Sequence, residues 1–288
     1  MTKKVRAIPG FFCYYFKPLQ MFSNFGPLLK KRMDLDSILQ KHKLLPGETK
    51  LIDIGCVQLS ATRKDEGWHL ITSDNCPHDD IDLTTESTLS DYFRTGKSDS
   101  LIIAPGLPAK PLVFKGTGLN VLPGQTITFF LKIPLAFQIY FSKIKPENIL
   151  KEITYKRLSD TWFGDPDSGE PAYSLGNEYF LDMDEIKITD LEAICPVEVF
   201  NNSSAILNVE RLIIRDENVA LYKNEDKIVT SVVHVEFKGN DVAGEVDYLY
   251  SKEYNGEKQE ILAKPRNPSG KSLLKLNFHF IKNIYRSE

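Results

Sequence analysis

Residues 125–141 read QTITFFLKIPLAFQIYF, and this stretch decides the fold class. Ile127, Phe129, Leu131 and Ile133 interleave with Thr126, Thr128, Phe130 and Lys132, the period of two that sends successive side chains to opposite faces of a half-buried strand. Pro134 has no N–H to give a ladder, so it marks a bend, an edge or a bulge. Leu135, Phe137, Ile139 and Phe141 then resume the same period, and a second strand follows.

The same grammar extends in both directions. Upstream, residues 51–59 and 68–72 read as a first hairpin across the polar stretch 62–67, with Gly67 at the place in the turn where a positive φ is often needed. Downstream, short strands are expected over 197–200, 207–214, 219–223, 227–230 and 232–237, with a three-residue loop at 224–226 and a polar turn at 201–204. Many short strands with few helices between them predict an all-β fold, an antiparallel sandwich or jelly roll of two packed β halves, rather than βαβ units. One short helix is expected over residues 33–43, where Met33, Leu35, Ile38, Leu39 and His42 recur at helical spacing before the Pro46-Gly47 breaker. The expected organisation is an arm with that helix over 1–50, β halves over 51–146 and 147–270 that meet near Pro146 to Asn148, and a tail over 271–288.

With 42% hydrophobic and 26% charged residues in 288, the chain is long and apolar enough for a sizeable core and is neither disordered nor collagenous. A net charge of -3 excludes a general polyanion binder. The longest apolar run near the start, residues 11–16, is far short of the roughly 20 residues that span a bilayer, and no cleavage-site pattern follows it. A cytoplasmic protein is therefore expected. Cys13, Cys56, Cys76 and Cys195 are scattered without a CxxC pair, which fits reduced thiols.

Charge is uneven along the chain. Residues 1–50 carry ten Lys or Arg against three acids, whereas the remainder is acidic. Phe11, Phe12, Tyr14, Tyr15 and Phe16 lie within that basic arm, a combination suited to anionic lipid, nucleic acid or an acidic protein. A strand and helix covering the acidic body would use the same residues. The tail is ambiguous too: Leu274, Leu276, Phe278 and Phe280 alternate like a strand, while Leu273, Leu276, Phe280 and Ile284 form a helical stripe beside Lys271, Lys275, Lys282 and Arg286. A basic amphipathic helix there would lie on a membrane or in a partner's groove.

Few residues offer chemistry. Cys76, Pro77, His78, Asp79 and Asp80 gather ligand types, but no second spaced pair completes a zinc site. Asp165, Asp167 and Glu170 beside Gly169 resemble a hard-cation turn suited to weak calcium binding, although the twelve-residue EF-hand spacing is absent. Trp162 and Tyr173 flank this loop and would stack on a sugar or another ring; a solvated acidic turn between core aromatics is the plainer reading. Gly270, Lys271 and Ser272 end like a phosphate loop, yet Pro265 replaces its first glycine. No recognised nucleophile motif is present, and no catalytic residue is assigned.

Several ordered segments carry a family likeness: Leu158-Ser159-Asp160-Thr161-Trp162-Phe163-Gly164-Asp165, Ser168-Gly169-Glu170, Ile194-Cys195-Pro196-Val197, Asn201-Asn202-Ser203, Arg211-Leu212, Leu221-Tyr222 and Pro265-Arg266. Together they resemble the domain of unknown function 432 family, most clearly over 155–270. The resemblance implies a β-rich protein without an established activity, and some members are encoded near small-conductance mechanosensitive channels. The expected function is accordingly a non-enzymatic accessory protein that docks on a membrane protein, a mechanosensitive channel in the case implied, through the arm and through Lys271, Lys275, Phe280 and Lys282 of the tail. The alternative is a β-sandwich ligand binder or hydrolase using Trp162, Asp165, Asp167, Glu170 and Tyr173, with calcium on the three carboxylates. Nucleic acid is disfavoured by the acidic body.

Overall fold

The computed structural model describes residues 39–74, 87–154, 156, 158–239 and 244–267, and their regular structure is strand apart from single helical turns. The first strands are β1 (Lys41–Lys43), β2 (Thr49–Ile54), β3 (Val57–Lys64), β4 (Gly67–Asp74), β5 (Ser87–Arg94), β6 (Ser100–Gly106), β7 (Leu112–Lys115) and β8 (Asn120–Val121). The quoted stretch supplies β9 (Thr126–Pro134) and β10 (Ala136–Phe141), followed by β11 (Ile149–Thr154), β12 (Asp160–Phe163) and β13 (Glu170–Gly176). The rest are β14 (Glu192–Asn201), β15 (Leu207–Asn208), β16 (Arg211–Ile214), β17 (Leu221–Asn224), β18 (Lys227–Thr230), β19 (Val232–Phe237), β20 (Glu245–Leu249) and β21 (Ile261–Ala263).

Pro134 marks a change of sheet. β9 pairs antiparallel with β14 from Glu192↔Pro134 to Phe200↔Thr126, inside a seven-stranded sheet ordered β20-β19-β14-β18-β17-β21. One residue later β10 pairs with β6, in a four-stranded sheet ordered β1-β6-β10-β11. The Leu135 N–H between them donates to Leu191 O at 2.8 Å, so the step from sheet to sheet leaves no orphan donor there. Two further four-stranded sheets are ordered β2-β3-β4-β5 and β12-β13-β7-β16, and β8 pairs with β15 in a short ribbon.

One buried cluster joins the sheets: Leu59 and Leu70, Leu101 and Phe137, Leu112 and Phe114, Phe129 and Val197 all belong to it. Phe114, Phe129 and Tyr179 meet at ring-centroid distances of 5.4–6.2 Å. Lys151 of β11 links two sheets, with its Nζ 2.7 Å from Asp91 of β5 and 2.9 Å from Thr72 of β4.

Several expectations change. The fold is all-β, but β14 runs parallel to β18 and β19, and β13 parallel to β7, because the long segments between these partners return the chain to its starting end. Residues 51–59 are not one strand: Gly55, at φ 62°, turns the chain between β2 and β3. β3 then runs on through Lys64, which shortens the expected polar turn. Gly67 is required by close approach rather than by positive φ, since a Cβ there would lie 2.1 Å from Phe93 O. The 224–226 loop tightens to Glu225-Asp226, with Glu225 at φ 53°.

Residues 41–43 of the expected helix form strand β1, because His42 is buried between two exposed lysines and pairs with Leu101; residues 33–38 lie outside the described residues. β11 pairs back on β10 across Pro146–Asn148. Cys56 is disulfide-bonded, against the expectation of reduced thiols, whereas Cys195 is free and buried. No helix among the described residues is long and apolar enough to cross a membrane.

Candidate functional site

The segments singled out at 158–170 and 211–212 meet on the β12-β13-β7-β16 sheet. β12 and β13 form a hairpin in which Trp162 faces Pro171 and Phe163 faces Glu170. β16 alternates Arg211 and Ile213 with Leu212 and Ile214, and Arg215, the residue after it, continues the parity of Arg211. Leu212 and Ile214 enter the main core, while Ile213 joins Val113, Ala172 and Phe163 in a small second cluster.

The two arginines fasten the hairpin over that cluster. The Arg211 Nη2 donates to Trp162 O, and its guanidinium lies 5.4 Å from the Phe163 ring centroid. The Arg215 Nη1 sits 2.6 Å from Glu170 Oε1, with the arginine side chain only 15% exposed. Its partner Glu170 is 36% exposed, so the pair is part-buried, and the charge-assisted contact fixes the hairpin's position on β16.

The turn is closed from within. Asp165 O accepts from Gly169 N at 2.8 Å and from the Trp162 indole Nε1 at 3.0 Å. Gly164 takes φ 101°, a region open to glycine. A Cβ on Gly169 would fall 2.3 Å from Trp162 Nε1 and 2.5 Å from Phe163 O. Gly169→Ala is therefore expected to cost about 1–3 kcal/mol by overpacking, read as a lowered urea midpoint with altered emission of Trp162, the tryptophan that is 44% exposed. A change below about 0.5 kcal/mol, the level of an ordinary surface substitution, would contradict this packing.

These contacts fix what the loop can do. Glu170 is engaged by Arg215, and Asp160 by Lys110 at 2.6 Å. The hydrogen bond from Lys110 to Asp160 holds the ammonium above its ordinary pKa, and Lys110 also sits 4.8 Å from the Tyr173 ring centroid. Among the described residues no group of three or more His, Cys, Asp or Glu is placed to hold a metal. The structure thus brings Trp162, Phe163 and Glu170 together with Arg211 and Arg215, and does not gather Asp165, Asp167 and Glu170 round one point. Arg215 and Lys110 were missed in the sequence; the parity of Arg211, Ile213 and Arg215 was the available signal.

Phe11, Phe12, Tyr14, Tyr15, Phe16, Lys271, Lys275, Phe280 and Lys282 lie outside the described residues, as does the 76–80 string. Another surface is visible instead. In the β2-β3-β4-β5 sheet one face sends Ile52, Leu59, Trp68 and Leu70 into the core. The opposite face aligns Leu51, Ser60, Ile71 and Ser90 in one row and Thr49, Thr62, His69 and Tyr92 in the next. Leu51 is 60% and Tyr92 56% exposed. The cross-strand pairs Thr49–Thr62 and His69–Ser90, each at 2.8 Å, hold the polar side chains between them in place.

No curated protein and no solved structure matches the chain. A family model described as protein of unknown function (DUF432) matches residues 38–282, a span that takes in the hairpin, both arginines, Asn201 and Arg266. The chain belongs to that family.

Proposed function

We propose that the protein is a non-enzymatic accessory protein, built of two packed β halves, that presents a sheet face to a protein partner. A membrane protein, such as the mechanosensitive channel implied by the family resemblance, is the partner in this reading. The observation that carries it is the outer face of the β2-β3-β4-β5 sheet, where Leu51 and Tyr92 stand exposed on a framework of short, mutually bonded Ser, Thr and His side chains. Exposed aromatic and aliphatic side chains on a rigid surface are what protein interfaces use as anchors. The β12–β13 hairpin supports the same reading from the other side, because its Trp162 indole, its Glu170 carboxylate and a terminal nitrogen of each arginine are engaged in internal contacts.

The test is affinity purification of tagged protein from membranes solubilised in mild detergent, beside a Leu51→Asp/Tyr92→Asp variant. Recovery of a defined membrane protein is expected with the native chain, falling by about tenfold or more when two anchors are lost, while the melting temperature stays unchanged. Equal recovery with the variant, or recovery of no membrane protein, would remove this surface from the proposal.

A further inference from the structure

We propose that the end of the β2-β3-β4-β5 sheet holds a buried monovalent anion of halide size, bound by the Arg63 guanidinium, the Trp68 indole N–H and the Thr95 hydroxyl. Pairing places these groups together. Arg63 of β3 faces Trp68 of β4, which faces Phe93 of β5. Thr95 lies two residues beyond Phe93, and the N–H groups of Thr95 and Gly96 both donate to Glu66 O at 3.0 Å. That bond ties the strand end to the turn against which Arg63 folds.

The charge at this corner is incompletely answered. Arg63 is 2% exposed and Trp68 fully buried. The guanidinium donates to Gly67 O at 2.6 Å, Asp65 O at 3.2 Å and Gly96 O at 3.0 Å, and lies 5.7 Å from the Trp68 ring centroid. All three acceptors are uncharged carbonyls, and no acid among the described residues joins them. A buried cation without a counter-charge costs several kcal/mol.

Each of these three neighbouring residues carries an orphan atom: Arg63 Nε, Trp68 Nε1 and Thr95 Oγ1 are buried and have no hydrogen-bond partner. Buried unpaired polar atoms are rare enough that each calls for a missing water or ion. Two of these can only donate, and the third donates readily. A water can also bond here, since each carbonyl oxygen keeps a second lone pair, but it would leave the guanidinium charge unanswered. A monatomic anion brings charge, accepts from several donors at once and donates nothing.

Thermal unfolding in chloride or bromide is compared with unfolding in gluconate at one ionic strength, so that general screening is constant. The native melting temperature is expected to rise by about 3–6 °C once the halide reaches roughly ten times its dissociation constant. Trp68→Phe and Thr95→Val each remove one donor while nearly keeping volume, and both are expected to lose most of that rise. In gluconate, Thr95→Val should be no less stable than the native chain, since it deletes an orphan. Identical native melting in halide and gluconate would overturn the proposal, as would a halide response of native size in both variants or a water rather than bromide at this corner in a bromide-soaked crystal.

Discussion

Arg266→Ala is expected to lower the unfolding free energy by about 2–4 kcal/mol. Arg266 pairs through Nη2 with Asp216, whose side chain is only 5% exposed, and the same nitrogen reaches Pro108 O at 3.2 Å and Leu107 O at 3.4 Å. The contact joins the segment after β21 to the loop between β6 and β7 and to the helical turn Asp216–Asn218. Asn267 N donating to Glu217 O at 2.8 Å secures the same crossing. Truncation leaves the Asp216 carboxylate buried without its cation, and that penalty rather than lost attraction sets the magnitude. The arginine side chain is 38% exposed, so the effect falls in the lower part of the range for broken buried pairs. Arg266→Met combined with Asp216→Leu should recover most of the loss, because neither charge is then stranded. Urea midpoints at unchanged m-value measure this; a single variant within about 0.5 kcal/mol of native would mean that water already solvates Asp216.

The sequence shows this fold where hydrophobic period and turn chemistry speak together. Residues 125–141 announce both β9 and β10, since alternation reports burial on one face and Pro134 reports where a ladder must stop. The same stretch does not reveal that β9 and β10 belong to different sheets, because alternation carries no information about the partner strand. Parallel pairing of β14 with β19 was hidden for that reason. Residues 41–43 read as helix in sequence because Leu39 and His42 fit a three-residue step as well as a strand, and only pairing with Ser100–Ile102 decides between them. At the site, Gly164 and Gly169 were legible as one turn, since glycine beside tryptophan and aspartate has local chemistry. Its fasteners were less so: Arg215 stands 45 positions after Glu170, and long-range charge pairing leaves no local pattern. Leu51 sits one residue from Ile52 and therefore on the other face of β2.

Above pH 9 the protein is expected to lose stability steeply, by about 4 kcal/mol at pH 11, through a buried thiol and a partly buried phenol that resist deprotonation. Burial pushes the Cys195 thiol from 9.0 up to about 12, opposed weakly by a bond to Thr230. Burial likewise pushes the Tyr248 phenol from 10.0 to about 12, although its oxygen accepts from Arg215 N at 3.0 Å. Both pKa values are raised in the native state, so below pH 9 neither group makes stability depend on pH. Between pH 9 and 12 the unfolded chain releases protons that the native chain retains, and the unfolding free energy falls with each increment of pH. Against a typical stability of about 5–15 kcal/mol, a loss of this size brings the unfolding transition into mildly alkaline solution. Lys110 and Lys238, raised by hydrogen bonds to Asp160 and Glu245, act in the same direction from pH 10.5 but are solvent-exposed and screened. Cys195→Ala separates the contributions: it should be less stable than native at pH 7 because it leaves a small cavity, and should lose less than half as much between pH 9 and 11. Stability that stays level to pH 11, or an equal alkaline loss in Cys195→Ala, would show that the thiol is not withdrawn from water as the structure places it. A thiol held neutral in this way cannot serve as a nucleophile near pH 7, so the Ile194-Cys195-Pro196-Val197 segment acts through packing within β14.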